Sequence, residues 1–301
     1  MTSFALILFA ALFFDGLIVR TKSVCSGRKG PGVFQPLKDV ARLMRKGAVY
    51  SPTTGWVFKA APIVQAASVV MACAVIPLGE DGALLSFRGD FVFFAYVLAL
   101  GKFFAIVGAL DTGSSFEGMG AAREALYSML AEPAFFMVVG SLSLLTGFVS
   151  FADILPAIHL SGAMSCAIAI VAAGVLLVLE LIENSRLPVD DPKTHLELTM
   201  VHEVMILDNS GFDLGLILAA GYLKFAMYAA LIANLFVGSV PDAWDVPAFL
   251  AVQAASAVSI GVVESFMARA RMNHNPEFIF ALTSVALLLV FGVLLAVGNF
   301  R

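Results

Sequence analysis

The sequence predicts an all-α, polytopic integral membrane protein, and three observations carry that prediction. Hydrophobic residues fill 60% of the 301 positions and charged ones only 13%, with a mean hydropathy of +0.94, outside the range of ordinary soluble domains. Eight stretches are apolar for long enough to cross a hydrocarbon core, which takes roughly 17 to 25 residues. Finally, the cations collect on alternate connections between those stretches.

The spans fall at 3–19, 60–78, 91–110, 133–151, 162–180, 214–237, 246–266 and 278–297, forming one membrane domain over 1–301. The first is short and carries Asp15. It reads as a retained helix, because no basic leader precedes it and no small-residue cleavage site follows. With the N-terminus outside, the inner connections hold Arg20, Lys22, Arg28, Lys29, Lys38, Arg42, Arg45, Lys46, Lys59, Arg123, Arg186, Lys193, Arg269 and Arg271, which is fourteen of the eighteen Lys and Arg. Arg88 and Arg301 lie outside. This bias places both termini away from the cytoplasm and the charged loops within it. A net charge of -4 argues against nucleic acid, which needs clustered cations. Cys25, Cys73 and Cys166 form no C-x-x-C pair, so neither a disulfide framework nor a thiolate metal site is predicted, and packing is their expected role.

The first inner loop passes through Gly27-Arg28-Lys29-Gly30-Pro31 into a helical pattern. Leu37, Val40, Ala41 and Met44 repeat on one face, while Lys38, Arg42 and Arg45 share another, with Pro36 at the start and Gly47 at the end. An amphipathic helix at the membrane surface follows, either anchored to anionic lipid or offering a dock to a soluble partner. It is no phosphate loop, since G-x-x-x-x-G-K-[ST] is missing. The second inner loop, Asp111-Thr112-Gly113-Ser114, leads to Arg123-Glu124 at the head of a helix. Glu124, Tyr127 and Ser128 share a face there, and Pro133, after Glu132, should kink or restart the helix.

The third inner loop concentrates ionisable groups in a chain that otherwise avoids them. Glu180, Glu183 and Arg186 are spaced to lie along one helix face and pair locally. Pro188 and Pro192 interrupt the helix. Asp191 suits an N-cap for a second helix over 192–207, on which His195, Thr199 and His202 recur beside Glu203. His202-Glu203 begins H-E-x-x-H, but Ile206 takes the place of the second histidine, which removes the zinc-protease reading. No metal site is predicted. Asp15, Lys102, Glu132, Glu180, Lys224 and Glu264 lie at or near membrane depth, where an unpaired charge costs several kcal/mol, so they are expected in ion pairs, at subunit contacts or along a hydrated path. Lys224, the deepest, is the leading cation. Arg269 and Arg271 are expected to snorkel to the inner surface, with Glu264 reaching Arg271 only if the chain bends.

Gly27-Arg28-x-Gly30-Pro31, Gln35-Pro36-Leu37-x-Asp39, Asp111-Thr112-Gly113-Ser114, Arg123-Glu124, Glu183-x-x-Arg186-x-Pro188-x-Asp190-x-Pro192, Glu197-Leu198 and Ser210-Gly211 together resemble the eight-helix, quinone-chamber membrane subunit of respiratory complex I and its superfamily. Asp111-Thr112-Gly113 and Glu264-Ser265-x-Met267-Ala268-Arg269 are more similar to the membrane-anchor subunit of group 4 [NiFe] hydrogenases, the formate hydrogenlyase subunit 4 and hydrogenase-4 component C branch. The resemblance covers nearly the whole chain. It implies a connecting subunit of a bacterial or archaeal cytoplasmic membrane, surrounded by lipid and by antiporter-like membrane subunits.

Its inner loops would seat hydrogenase-like large and small subunits, and its buried carboxylates would couple electron transfer to proton or sodium movement. Carried over, the ion path comprises Glu124, Glu132, Glu180, Glu183, Asp190, Glu197, Glu203, Lys224 and Glu264. The docking surface comprises Arg28, Lys29, Asp39, Arg42, Arg123, Arg186, His195 and His202. Nickel-iron and iron-sulfur centres would belong to the partners, with none bound by this chain and no catalytic group on it. Asp190-Asp191-Pro192-Lys193-Thr194-His195 departs from the acidic run usual in complex I and weighs against quinone. Two alternatives stay open: the quinone-chamber subunit of complex I itself, an NADH-quinone oxidoreductase, and a stand-alone ion transporter.

Overall fold

The computed structural model describes residues 2–79, 82–158, 162–191, 200–238 and 244–299. His195, Glu197 and the rest of the first eight residues of the helix expected over 192–207 lie outside the described residues. Among the described residues, eleven α-helices follow one another: α1 (Thr2–Cys25), α2 (Gln35–Leu43), α3 (Trp56–Cys73), α4 (Asp90–Asp111), α5 (Ser115–Thr146), α6 (Phe151–Ile154), α7 (Ala163–Glu183), α8 (His202–Met205), α9 (Gly211–Val237), α10 (Asp245–Phe266) and α11 (Asn275–Asn299). Eight of them are long and apolar enough to cross a membrane.

The helix ends are set by polar caps that hydropathy does not register. Asp111 Oδ2 accepts the N–H groups of Gly55 (2.6 Å) and Phe58 (3.3 Å), so α3 starts at Trp56 rather than at 60. α5 is one uninterrupted 32-residue helix with Pro133 inside it, so the proline does not restart the helix. α2 forms as predicted around Pro36, buries Val40 and packs on α1 and α9, but Ala41, expected on its apolar face, is exposed.

The centre of the bundle is α9, on which α1, α2, α3, α7 and α10 all pack. Every residue from Phe225 to Leu235 is buried, as expected of a helix that is apolar all round. Lipid is as apolar as leucine, so close backbone approach and polar ties must hold such helices together. At one end Asp90 accepts from Ser150 Oγ (2.6 Å) and Phe151 N–H (2.7 Å), while Asn234 bridges Gly79 N–H (3.1 Å) and the Pro77 carbonyl (2.8 Å). At the other, here termed the loop end, Gly211 has φ +53° and a Cβ on it would stand 2.2 Å from the Gly47 carbonyl oxygen. Only glycine fits there. Beside it Val49 N–H donates to Ser210 Oγ (2.9 Å), and Asp213 hydrogen-bonds the Tyr50 phenol, raising its pKa. Cys73 is buried, as packing requires, whereas Cys25 is exposed.

Candidate functional site

Three groups of charges occupy the loop end and descend into the bundle. In the first, Glu183 ends α7 between two lysines: Oε1 lies 2.7 Å from Lys102 Nζ of α4, and Oε2 lies 3.2 Å from Lys224 Nζ of α9. Lys224 also donates to the Glu183 main-chain carbonyl (3.0 Å), and Lys102 is 3.7 Å from Glu124 of α5. Two cations and two carboxylates thus neutralise one another, as their depth requires.

In the second group, Arg186 donates to Asp15 of α1 and, over 3.2 Å, to Glu264 of α10, and its guanidinium lies over the Phe225 ring at 4.8 Å. Glu264 is shared with Lys22 at 2.7 Å. In the third, fully buried Asp190 meets Arg269 at 2.7 Å and accepts the main-chain N–H groups of Val201 (3.0 Å) and His202 (3.2 Å).

This pairing differs from the local one expected along 180–186. Ser185 adopts φ +49°, its N–H bonds to Ile182 O (3.0 Å) and that of Arg186 to Leu181 O (2.8 Å). This is the Schellman closure of a helix. It swings Arg186 away from Glu183 and toward α1 and α10. Arg186, expected as a docking residue, is therefore buried in internal ion pairs. Glu264 finds Lys22 and Arg186 instead of Arg271, and Arg269 turns inward to Asp190 rather than snorkelling. Of the described residues of the helix expected through 207, Met200 and Val201 are not helical, and Asp190 caps a short helix over His202–Met205.

The other predicted residues divide by exposure. Arg28, Lys29 and Arg42 are exposed at the loop end, Asp39 is half-buried and pairs with Arg42 (3.4 Å), and Arg123 is half-buried with Nη1 donating to Met200 O (3.0 Å). Glu203 and His202 are half-buried. Glu180 is fully buried, and among the described residues no group hydrogen-bonds either of its carboxylate oxygens. Glu132, in contrast, is exposed on the outer surface of α5. Lys102 and Asp15, which the motifs assign to neither path nor dock, turn out to carry central pairings. Their only signal in the sequence is a charge within an apolar span.

Three small cavities line the first group, and one of them reaches Arg186 of the second. One of about 30 Å3 is lined by Lys102, Glu132, Glu183 and Tyr228, a second of about 30 Å3 by Lys102, Glu124, Glu183, His202 and Lys224, and a third of about 80 Å3 by Glu183, Arg186, His202, Glu203, Tyr222 and Lys224. Each exceeds the roughly 10–15 Å3 that one water needs, and each offers polar partners. Among the described residues no group of three His, Cys, Asp or Glu side chains is placed to hold a metal.

A bundle of eight apolar spans with a string of paired charges inside it defines a multi-pass protein of the cytoplasmic membrane. More narrowly, the chain belongs to the NADH dehydrogenase family, whose model matches residues 1–295. It is 27% identical over 293 residues to formate hydrogenlyase subunit 4 of Escherichia coli K12, covering 92% of each chain, and 28% identical over 226 residues to hydrogenase-4 component C of the same organism, covering 74% of this chain and 70% of that one. Its fold matches that of a chain in the membrane-bound sulfane sulfur reductase, an archaeal respiratory membrane complex, with a TM-score of 0.78 over 96% of both chains at 18% identity.

Proposed function

We propose that this chain is the connecting membrane subunit of an ion-translocating hydrogenase or hydrogenase-related respiratory complex. Its loop end faces the cytoplasm, as the distribution of Lys and Arg supports. There it seats the soluble large and small subunits that carry the nickel-iron and iron-sulfur centres. The observation that carries this reading is Glu183, held between Lys102 and Lys224 and lining all three cavities.

A charge change near the arm alters which ammonium Glu183 favours, and the cavities give waters a route along which a proton follows. At the far end of the string, Glu132 sits midway along α5 on an exposed face, at or near membrane depth. A carboxylate in lipid at that depth costs a few kcal/mol, so this face is the handover point to an antiporter-like membrane subunit. Of the residues expected to dock the arm, Arg28, Lys29 and Arg42 are exposed cations.

The test is Glu183→Gln in the complex purified in mild detergent and reconstituted in liposomes. Electron transfer should persist while redox-driven ion movement falls by roughly an order of magnitude or more; intact pumping would remove Glu183 from the path. The same preparation separates the readings. A large subunit with four nickel-binding cysteines supports the hydrogenase reading. The family match supports a second one, a quinone-chamber subunit, and inhibitor-sensitive quinone reduction by the intact complex would favour it. Ion flux through the single chain alone would favour a stand-alone transporter.

A further inference from the structure

His202, expected on a docking face, is half-buried beside the Glu183 cluster. It lies where three cavities meet: it lines the two that contain both Glu183 and Lys224, and also a third, of about 20 Å3, that continues past Gln65 toward Asn209. Among the described residues no other imidazole lines any of the three cavities of the Glu183 string.

Its main chain is fixed. The His202 N–H donates to Asp190, which Arg269 holds at 2.7 Å, and the preceding Val201 carbonyl lies against Gly120 of α5, where a Cβ would approach it to 2.8 Å. Its neighbour Glu203 lines the cavity of about 80 Å3, which Lys102 does not line. An imidazole carried on this fixed main chain shares one cavity with Glu203 and another with Lys102, Glu124 and Glu183, which is a chemically specific arrangement. Glu183 stands between two ammonium groups, and a neutral imidazole beside them both donates and accepts a proton.

We propose that His202 is the relay through which protons enter the Glu183 cluster. A proton reaches one ring nitrogen through water in the Glu203 cavity, and the proton on the other nitrogen leaves through water toward Glu183. One proton enters, one leaves, no electron moves, and the ring returns to neutral in the opposite tautomer until it rotates back. The surroundings support a ring that stays neutral between turnovers. Burial, Lys224, Lys102 and Arg186 push its pKa down to about 4 against the opposing pull of Asp190. Glu183, Glu124 and Glu203 also line its cavities, and the two lysines they face hold the positive charge that disfavours imidazolium.

The inference rests on the ion path proposed above, so the experiment includes both residues. His202→Ala, His202→Gln and Glu183→Gln are compared in the whole complex in liposomes, reading proton uptake per electron with a pH dye, with and without added imidazole. Glutamine keeps size and polarity but cannot relay a proton by protonation. Both His202 variants should lose proton uptake by roughly tenfold or more, and imidazole should restore it in His202→Ala alone. Wild-type uptake in His202→Gln, with Glu183→Gln inactive, overturns the relay and leaves the path standing. Loss in the alanine variant that imidazole does not restore also overturns it, by marking His202 as a structural residue. Normal uptake in all three variants overturns the path itself.

Discussion

Arg186 shows at the scale of one residue how a charge becomes tolerable near membrane depth. Its partners, Asp15 and Glu264, come from helices at opposite ends of the sequence, and Phe225 covers its flat face. Truncation leaves two carboxylates with too little positive charge, so Arg186→Ala should destabilise the purified complex by about 3 kcal/mol or more. Arg186→Lys should recover only part of this, because an ammonium cannot span both acids as a planar fork does. Thermal unfolding in detergent reads both.

His202 supplies a pH dependence with a definite sign. Its pKa is pushed from the ordinary 6.5 down to about 4, so the unfolded chain binds the proton more readily than the folded one. Stability from this group is complete above about pH 6.5 and is lost as pH falls through about 4. Limited proteolysis of the loop around α8 should quicken over that window, and His202→Gln should flatten the trend. None of these pairings was legible in the sequence, because Asp15 and Arg186 are 171 positions apart and no local periodicity reports such a contact.

At the scale of elements, the spans were legible and their ends were not. Apolar length alone locates eight membrane helices, since the hydrocarbon core demands it. The capping of α3 by Asp111 and the turn at Ser185 depend on groups that hydropathy scores merely as polar. The approach of α5 to the α8 loop was equally hidden, although its cause is a single glycine. At Gly120 a Cβ would press on the Val201 carbonyl oxygen at 2.8 Å and on Met205 Cγ at 3.0 Å. Gly120→Ala should therefore shift the loop, weaken the complex by about 1–3 kcal/mol and lower coupled ion movement without touching a titratable group. Unchanged coupling would show that the loop relaxes freely.

For the whole molecule, the informative surface is the one around Glu132. Met129, 65% exposed, and Tyr96, 67% exposed, flank a carboxylate midway along α5, and a neighbouring membrane subunit should cover them. A photo-crosslinking residue at position 129 should link to a partner membrane subunit in the intact complex. Lipid adducts alone would place the handover elsewhere. Membership in the family was legible from ordered motifs, but this exposed acid was not, because exposure is a property of the assembled bundle.

The length of α5 has a mechanical meaning. Thirty-two residues make a rod of about 48 Å, against a hydrocarbon core of about 30 Å, so the helix stands well clear of the lipid. Arg123 grips the loop at Met200, and Glu132 lies nine residues further along the same rod, with Pro133 only beyond it. Between Arg123 and Glu132 the helix therefore runs without a break. On the proposed reading, a push at the arm should arrive at Glu132 as displacement.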